Sequence, residues 1–163
     1  NDPNNPPTAE DLFSAAIADH KRKDYAIAKD RFERALQVAD TAEALKQKCY
    51  TFLYDIAYKK NNYKEAFRLA SSIADNCAAN EKKAYAVAMS VSKCGSSPFD
   101  KTLIYCLAID YAEKSCGNVG SSTINSWKSS LLPMQELVMM GKSKGSSHNV
   151  SCWDKTTVLR SKD

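Results

Sequence analysis

The chain has 163 residues, 44% of them hydrophobic and 26% charged, a balance that fits an ordinary globular protein with a continuous core and excludes wholesale disorder. Its 23 basic residues exceed its 19 acidic ones by a net +4, but stretches such as "HKRKD" and "KDRFER" mix both signs along helix surfaces. No basic stripe that would neutralise phosphate is formed, so nucleic acid is not an expected partner. No apolar run nears the roughly 20 residues that span a bilayer, so no transmembrane segment is expected.

The Pro- and Asn-rich opening "NDPNNPP" reads as a flexible arm over residues 1–8, the start of a mature chain whose export signal has been removed. Thr8 is suited to an N-cap, with Asp11 where a capping box puts Glu or Gln, so a helix is expected from near Ala9. Leu12, Ala15, Ala16 and Asp19 follow at helical spacing. "RKD" turns the chain, and a second helix begins near Tyr25 with Ala28, Phe32, Ala35 and Leu36 on one stripe. A second pair runs from about Ala42 to Lys60 and from Tyr63 to Asn76, split by "NN", which accepts left-handed backbone. Tyr50, Leu53, Tyr54 and Ala57 are expected to face Ala66, Leu69, Ala70 and Ile73. A third pair runs from about Asn80 to Cys94, breaks at "GSSP" and resumes from Pro98 to Cys116, with Pro opening a helix and Gly following one.

The pieces repeat. Tyr25 and Ala28 recur as Tyr63 and Ala66 roughly 38 residues on, the length of a helix pair with its loops, and Phe99 takes the corresponding place in the third pair. Residues Ala9 to Ala42 resemble a tetratricopeptide repeat, with Leu12, Ala15, Ala16, Tyr25, Ala28, Phe32 and Ala35 on the pattern's packing positions. The second copy puts Tyr54, and the third Thr102, where the pattern has a small residue. The resemblance implies an all-α protein, a right-handed α-α superhelix of about three helix pairs over residues 9–116. Each copy leaves an apolar face that only another copy covers.

After the repeats, "SSTINSWKSSLL" reads as a capping helix, Pro133 opens a short helix that Gly141 ends, and "HNVSCW" and "TTVLRS" are β-rich runs joined at Asp154 and Lys155. The expected parts are therefore capping helices over residues 117–141 and a small C-terminal β-hairpin tail over residues 142–163. This tail, with Trp127, Pro133, Glu136, Gly141 and Cys152-Trp153 in that order, is similar to that of secreted tetratricopeptide proteins of Bacteroidetes bacteria. The similarity implies a periplasmic or secreted protein and carries no activity with it.

Cys49, Cys77, Cys94, Cys106, Cys116 and Cys152 lack the close spacing of a zinc clip. Their even number allows disulfides in an oxidising compartment. Counting outward from the turn at Asn62 puts Cys49 and Cys77 at the same end of the second helix pair, which makes them the first expected bridge. Cys77 with Cys116 is the second choice.

Motifs for chemistry fail on context. Gly141 to Gly145 matches G-x-S-x-G but follows a helix in a chain without a large sheet, and Glu136 occupies the first Gly position of a phosphate-binding loop. His148 and Cys152 are four apart in a β-like run, which does not bring them together as ligands. No acid, base and nucleophile set can be assembled, so neither an enzyme nor a cofactor is expected. The Lys, Asn and Arg set with which co-chaperone tetratricopeptide domains hold a terminal carboxylate is replaced here by Phe13, Ile17, Phe52, Ala84 and Ala88.

The expected function is a non-enzymatic scaffold that holds a protein or peptide segment in a concave groove lined by the first helix of each pair. Residues three or four apart then point inward: Phe13, Ile17 and His20, then Thr51, Asp55 and Tyr58, then Val87 and Val91. If another surface is used, the hairpin around Trp153 is the next candidate. The alternative is a structural or assembly subunit that docks through its C-terminal hairpin by strand addition.

Overall fold

The computed structural model describes residues 6–163; the first five residues of the expected arm lie outside the described residues. Among the described residues nine helices account for 63% and are followed by a two-stranded antiparallel hairpin. The described residues fall into two compact units, one ending at Asn62 and the other running from Tyr63 to Asp163.

The first unit contains α1 (Ala9–Lys21), α2 (Tyr25–Gln37) and α3 (Glu43–Lys59). The capping box forms as expected: the Thr8 hydroxyl accepts from the Asp11 amide at 3.1 Å and the Asp11 carboxylate accepts from the Thr8 amide at 3.1 Å. The α1–α2 turn passes through Lys23 at φ 65°. Ala16, Ala28 and Ala35 are fully buried where α1, α2 and α3 pack, and the small side chains let the helix backbones approach. Phe32, also fully buried, stacks on Phe52 at 5.1 Å. Asp19 is only 1% exposed, and Arg22 and Arg31 both donate to its carboxylate.

In the second unit the helices are α4 (Tyr63–Ala70), α5 (Asn76–Met89), α6 (Val91–Cys94), α7 (Pro98–Glu113), α8 (Ser121–Ser129) and α9 (Met134–Met139), followed by β1 (Ser147–Val150) and β2 (Lys155–Val158). Leu103, Ile104, Cys106, Leu107, Ala108, Ile109 and Ala112 are buried around the whole circumference of α7, the pattern of a central helix. α5, α8 and both strands pack on it. Its start is fixed by a second capping box, Ser97 with Asp100. Thr102, at a position where the repeat pattern has a small residue, is fully buried and accepts from the Leu132 amide at 3.0 Å, which ties the segment between α8 and α9 to α7.

Several boundaries differ from expectation. α4 ends at Ala70 instead of Asn76, because Asp75 caps a new helix by accepting from the Cys77 and Ala78 amides at 2.9 and 3.1 Å. The helix expected to reach Cys94 breaks at Ser90, whose hydroxyl donates back to the Val87 carbonyl at 2.6 Å and competes with the helical ladder. The hairpin pairs Ser147 with Val158 and Val150 with Lys155, so its turn is Ser151 to Asp154 and Lys155 already belongs to β2. Trp153 therefore sits in the turn, followed by Asp154 at φ 48°. Gly141, at φ 68°, ends α9 in the left-handed conformation expected of a glycine there, with the Lys142 amide donating to the Leu137 carbonyl at 2.8 Å.

The expected Cys49–Cys77 bridge is not formed. Cys77 bonds Cys116, the second choice, with Cα atoms 5.4 Å apart, and Cys94 bonds Cys152 at 5.7 Å. The count that paired Cys49 with Cys77 required α4 to run unbroken to Asn76; its end at Ala70 moves Cys77 into the first turn of α5. There it meets the residue just beyond α7, so α5 and α7 run antiparallel. Cys49 is a buried free thiol whose pKa burial pushes up to about 11, which leaves it unreactive.

Two outcomes follow for stability. Asp19→Asn should lower the amide protection of α1 and α2 by about 1.5–3 kcal/mol, the worth of hydrogen bonds to a charged group, as read by hydrogen exchange. Reduction should act on the second unit alone. Its bridges close loops with sequence separations of 39 and 58, each worth roughly 4 kcal/mol by chain entropy, so dithiothreitol should lower amide protection in α5 and α7 while α1 and α2 keep theirs.

Candidate functional site

The residues expected to line a concave groove divide between the units: Phe13, Ile17, His20, Thr51, Asp55 and Tyr58 belong to the first, Val87 and Val91 to the second. In the first unit the aromatic members are packed against one another. Phe13 meets Phe32 edge-on at 5.6 Å and Phe52 at 5.9 Å, and His20 lies 5.4 Å from Tyr25 and 5.3 Å from Phe52. The His20 pKa is lowered, first by burial and then by the charge of Lys59, so its ring packs as a neutral aromatic. Tyr58 stacks on Tyr54 at 5.7 Å, and Thr51 donates to the Gln47 carbonyl at 3.1 Å. Ile17, Asp55 and Val91 are half-buried. Val87 is fully buried and cannot line an open groove; it lies on the core face of α5, because periodicity finds an apolar face without saying what covers it.

The hollow with the most chemistry lies in the second unit, between α4 and the hairpin turn, and has a volume of about 400 Å³. α4 contributes Lys64, Phe67, Arg68 and then Ser71 just past its end, a spacing that puts all four on one helical face, opposite the face that buries Ala66, Leu69 and Ala70. The turn contributes Trp153 and Lys155. Phe67 is the centre of the arrangement: its ring lies 5.1 Å from Trp153 and 5.3 Å from Tyr111. The Lys155 ammonium stands 5.2 Å from the Phe67 centroid, and that of Lys83 stands 5.6 Å from Phe67 and 5.9 Å from Tyr111, within cation–π range. The Lys83 pKa is lowered, mainly by burial and additionally by the charge of Lys155. Burial also raises the Tyr111 pKa, with a further contribution from Asp110. At the rim, Arg68 holds Glu65 through two hydrogen bonds of 2.7 and 2.8 Å.

The wall of the hollow is held by tertiary bonds. The Trp153 indole N–H donates to the Ser90 hydroxyl at 2.9 Å, and the neighbouring Cys152 is bonded to Cys94. At the other end of β2, Arg160 donates to Asp110 at 2.8 Å and to both oxygens of Glu113 at 2.9 Å, while Thr157 donates to Asp110 at 2.6 Å. The hairpin is thus fastened at its turn to Ser90 and Cys94, and along and beyond β2 to α7.

Two other features carry less. A hollow of about 370 Å³ beside Tyr25 and Ile27 has charges of both signs in Lys23, Asp24 and Lys60 and no converging set. Ser146 Oγ and His148 Nε2 are 2.8 Å apart, but the serine hydroxyl donates to the Ser143 carbonyl. The Ser143 carbonyl therefore competes with the imidazole for the hydroxyl proton. Among the described residues no group of three or more His, Cys, Asp or Glu side chains is placed to hold a metal ion, and no helix is long and apolar enough to cross a membrane.

Sequence reasoning named Trp153 as the centre of the second candidate surface and missed Phe67, Lys83 and Lys155. A signal was present for Phe67, the single aromatic on the charged face of α4. Nothing in the sequence announces that Lys83 and Lys155, far apart in the chain, converge on that ring. No family model, curated protein or solved structure matches this chain.

The Arg160 clamp has a pH signature. Hydrogen bonding from Arg160 is the main cause that lowers the Glu113 pKa below its ordinary 4.5. A carboxylate depressed in the folded state contributes stability above its unfolded value, and that contribution is lost as pH falls through the folded value. With Trp127→Phe leaving Trp153 as the reporter, the urea midpoint should fall as pH drops below about 4.5. Glu113→Gln should lower the midpoint at pH 7 and flatten that part of the acid dependence.

Proposed function

We propose that this protein is a non-enzymatic module that binds a protein or peptide segment, and that the hollow between α4 and the hairpin turn is its site. The observation that carries this reading is a half-buried aromatic cluster, Phe67 against Trp153 and Tyr111, at a concavity of about 400 Å³ rimmed by cationic side chains. A partly apolar concavity with a few polar groups is the common form of a recognition site, and aromatic residues set in such a pocket are the usual anchors of binding. The helix pairs that resemble tetratricopeptide repeats support a right-handed α-α superhelix and, with it, a recognition role over catalysis. The two disulfides support an oxidising compartment and hence a periplasmic or secreted protein.

Assembly through the hairpin is the weaker reading, because both strands pack on α7 and Arg160 ties β2 to it. Deleting the tail cannot separate the two readings, since the hairpin turn is also a wall of the hollow; a point substitution can.

Selection of random 12-residue displayed peptides against the oxidised chain should yield binders whose affinity, measured by fluorescence anisotropy, falls at least tenfold in Phe67→Ala, the effect of losing an anchor worth about 1–3 kcal/mol. Met139→Ala, at an 81% exposed position elsewhere, should bind as the parent does. Selected peptides that bind a folded Phe67→Ala variant with undiminished affinity would place the site away from this hollow.

A further inference from the structure

The deeper question is which segment this hollow accepts, and the inference rests on the peptide-binding reading above. We propose that its occupant is an acidic peptide segment, with an apolar side chain on the Phe67 ring and carboxylates facing Lys64, Lys83 and Lys155. Two ammoniums lie within 5.6 Å of one ring centroid, and among the described residues no ion pair to an acidic side chain is formed by Lys64, Lys83 or Lys155. Asp154 is the one acidic residue of the lining, and it forms no ion pair with them. The surplus of positive charge is local, since the chain as a whole carries only +4.

Two like charges around a half-buried ring repel, and burial weakens the solvent screening that would relieve them. The lowered Lys83 pKa has this repulsion among its causes. An incoming carboxylate removes the repulsion and gains charge-assisted hydrogen bonds, whereas a basic segment would add to it. Shape separates a peptide from other anions. Trp153 is 8% exposed and its N–H is engaged by Ser90, so it is not free to enter a lipid surface, and Lys64 and Lys155 in the lining with Lys83 over the Phe67 ring do not make the extended track that a nucleic-acid backbone needs.

The test uses two 12-residue peptides that share Leu and Phe positions and carry either four Glu or four Gln. Both are acetylated, amidated and labelled with tetramethylrhodamine, and binding to the oxidised chain is read by anisotropy. The Glu peptide should bind at least tenfold more tightly at 50 mM salt, with the advantage shrinking at 500 mM. Lys83→Gln and Lys155→Gln should each weaken the Glu peptide about three- to tenfold and the Gln peptide markedly less, and Lys155→Arg should restore most of the loss. Amide exchange of α5 and β2 confirms that the variants are folded. Equal affinity for the two peptides in the parent protein would overturn the acidic occupant and leave the peptide groove standing. Binding of neither, together with a selection insensitive to Phe67→Ala, would remove the groove itself. Lysine-dependent binding of phosphatidylserine vesicles or of a DNA duplex, with no binding of the Glu peptide, would also overturn the proposal.

Discussion

The second unit depends on α7 being apolar around its whole circumference. A helix with one apolar stripe needs one neighbour, but a helix with Leu103, Ile104, Cys106, Leu107 and Ile109 distributed around it must be enclosed. α5 alone cannot enclose it, so the chain returns after α9 and lays a two-stranded hairpin on it. Such a hairpin is marginal in isolation. It is held here by the Cys94–Cys152 bridge at its turn and by the Arg160 clamp to Asp110 and Glu113 at its far end. The Arg160 amide also donates to the buried Cys106 sulfur at 3.4 Å, so the last residues of the chain touch the centre of the core.

The hollow is a consequence of that enclosure. Bringing the hairpin turn over the unit sets Trp153 beside Phe67, which α4 presents on the face turned away from its own core. Ser90 links the two effects: its back-bond to Val87 ends α5, and the same hydroxyl accepts the indole N–H that seats Trp153. A helix break and a wall of the hollow therefore rest on one oxygen. The lysines that converge there cover the aromatic faces with their ammoniums, an arrangement favourable toward the rings and unfavourable between the charges.

The first unit is organised by a different means. It has no disulfide, and its interior is an aromatic cluster of Phe13, Phe32 and Phe52 over alanine contacts, with the buried Asp19 carboxylate binding Arg22 and Arg31. Phe13 and His20 stand at positions that a repeat pattern assigns to a concave binding face, and here they are occupied by neighbours from their own unit. A half-buried aromatic at the right spacing is equally suited to either role, and only the identity of its contacts distinguishes them.

Features that depend on residues within four or five positions of one another were determined by the sequence alone. Thr8 and Asp11 cap a helix, "NN" and "GSSP" interrupt one, Pro98 opens one, and the alternating runs near the end form a hairpin, because each needs only local hydrogen bonds and side-chain spacing. Features that depend on which distant segment covers a face were decided by tertiary packing. Asp75 and Ser90 reset the helix ends by a few residues, and that moved Cys77 from an expected partnership with Cys49 to Cys116. Phe67 became the centre of an aromatic cluster beside a hollow, and Val87 became core, although both stand at helical positions of ordinary character. The physical reason is the same in each case: hydrophobic burial is non-directional, so periodicity shows that a face will be covered, while the choice between protein and ligand as its cover belongs to the folded chain.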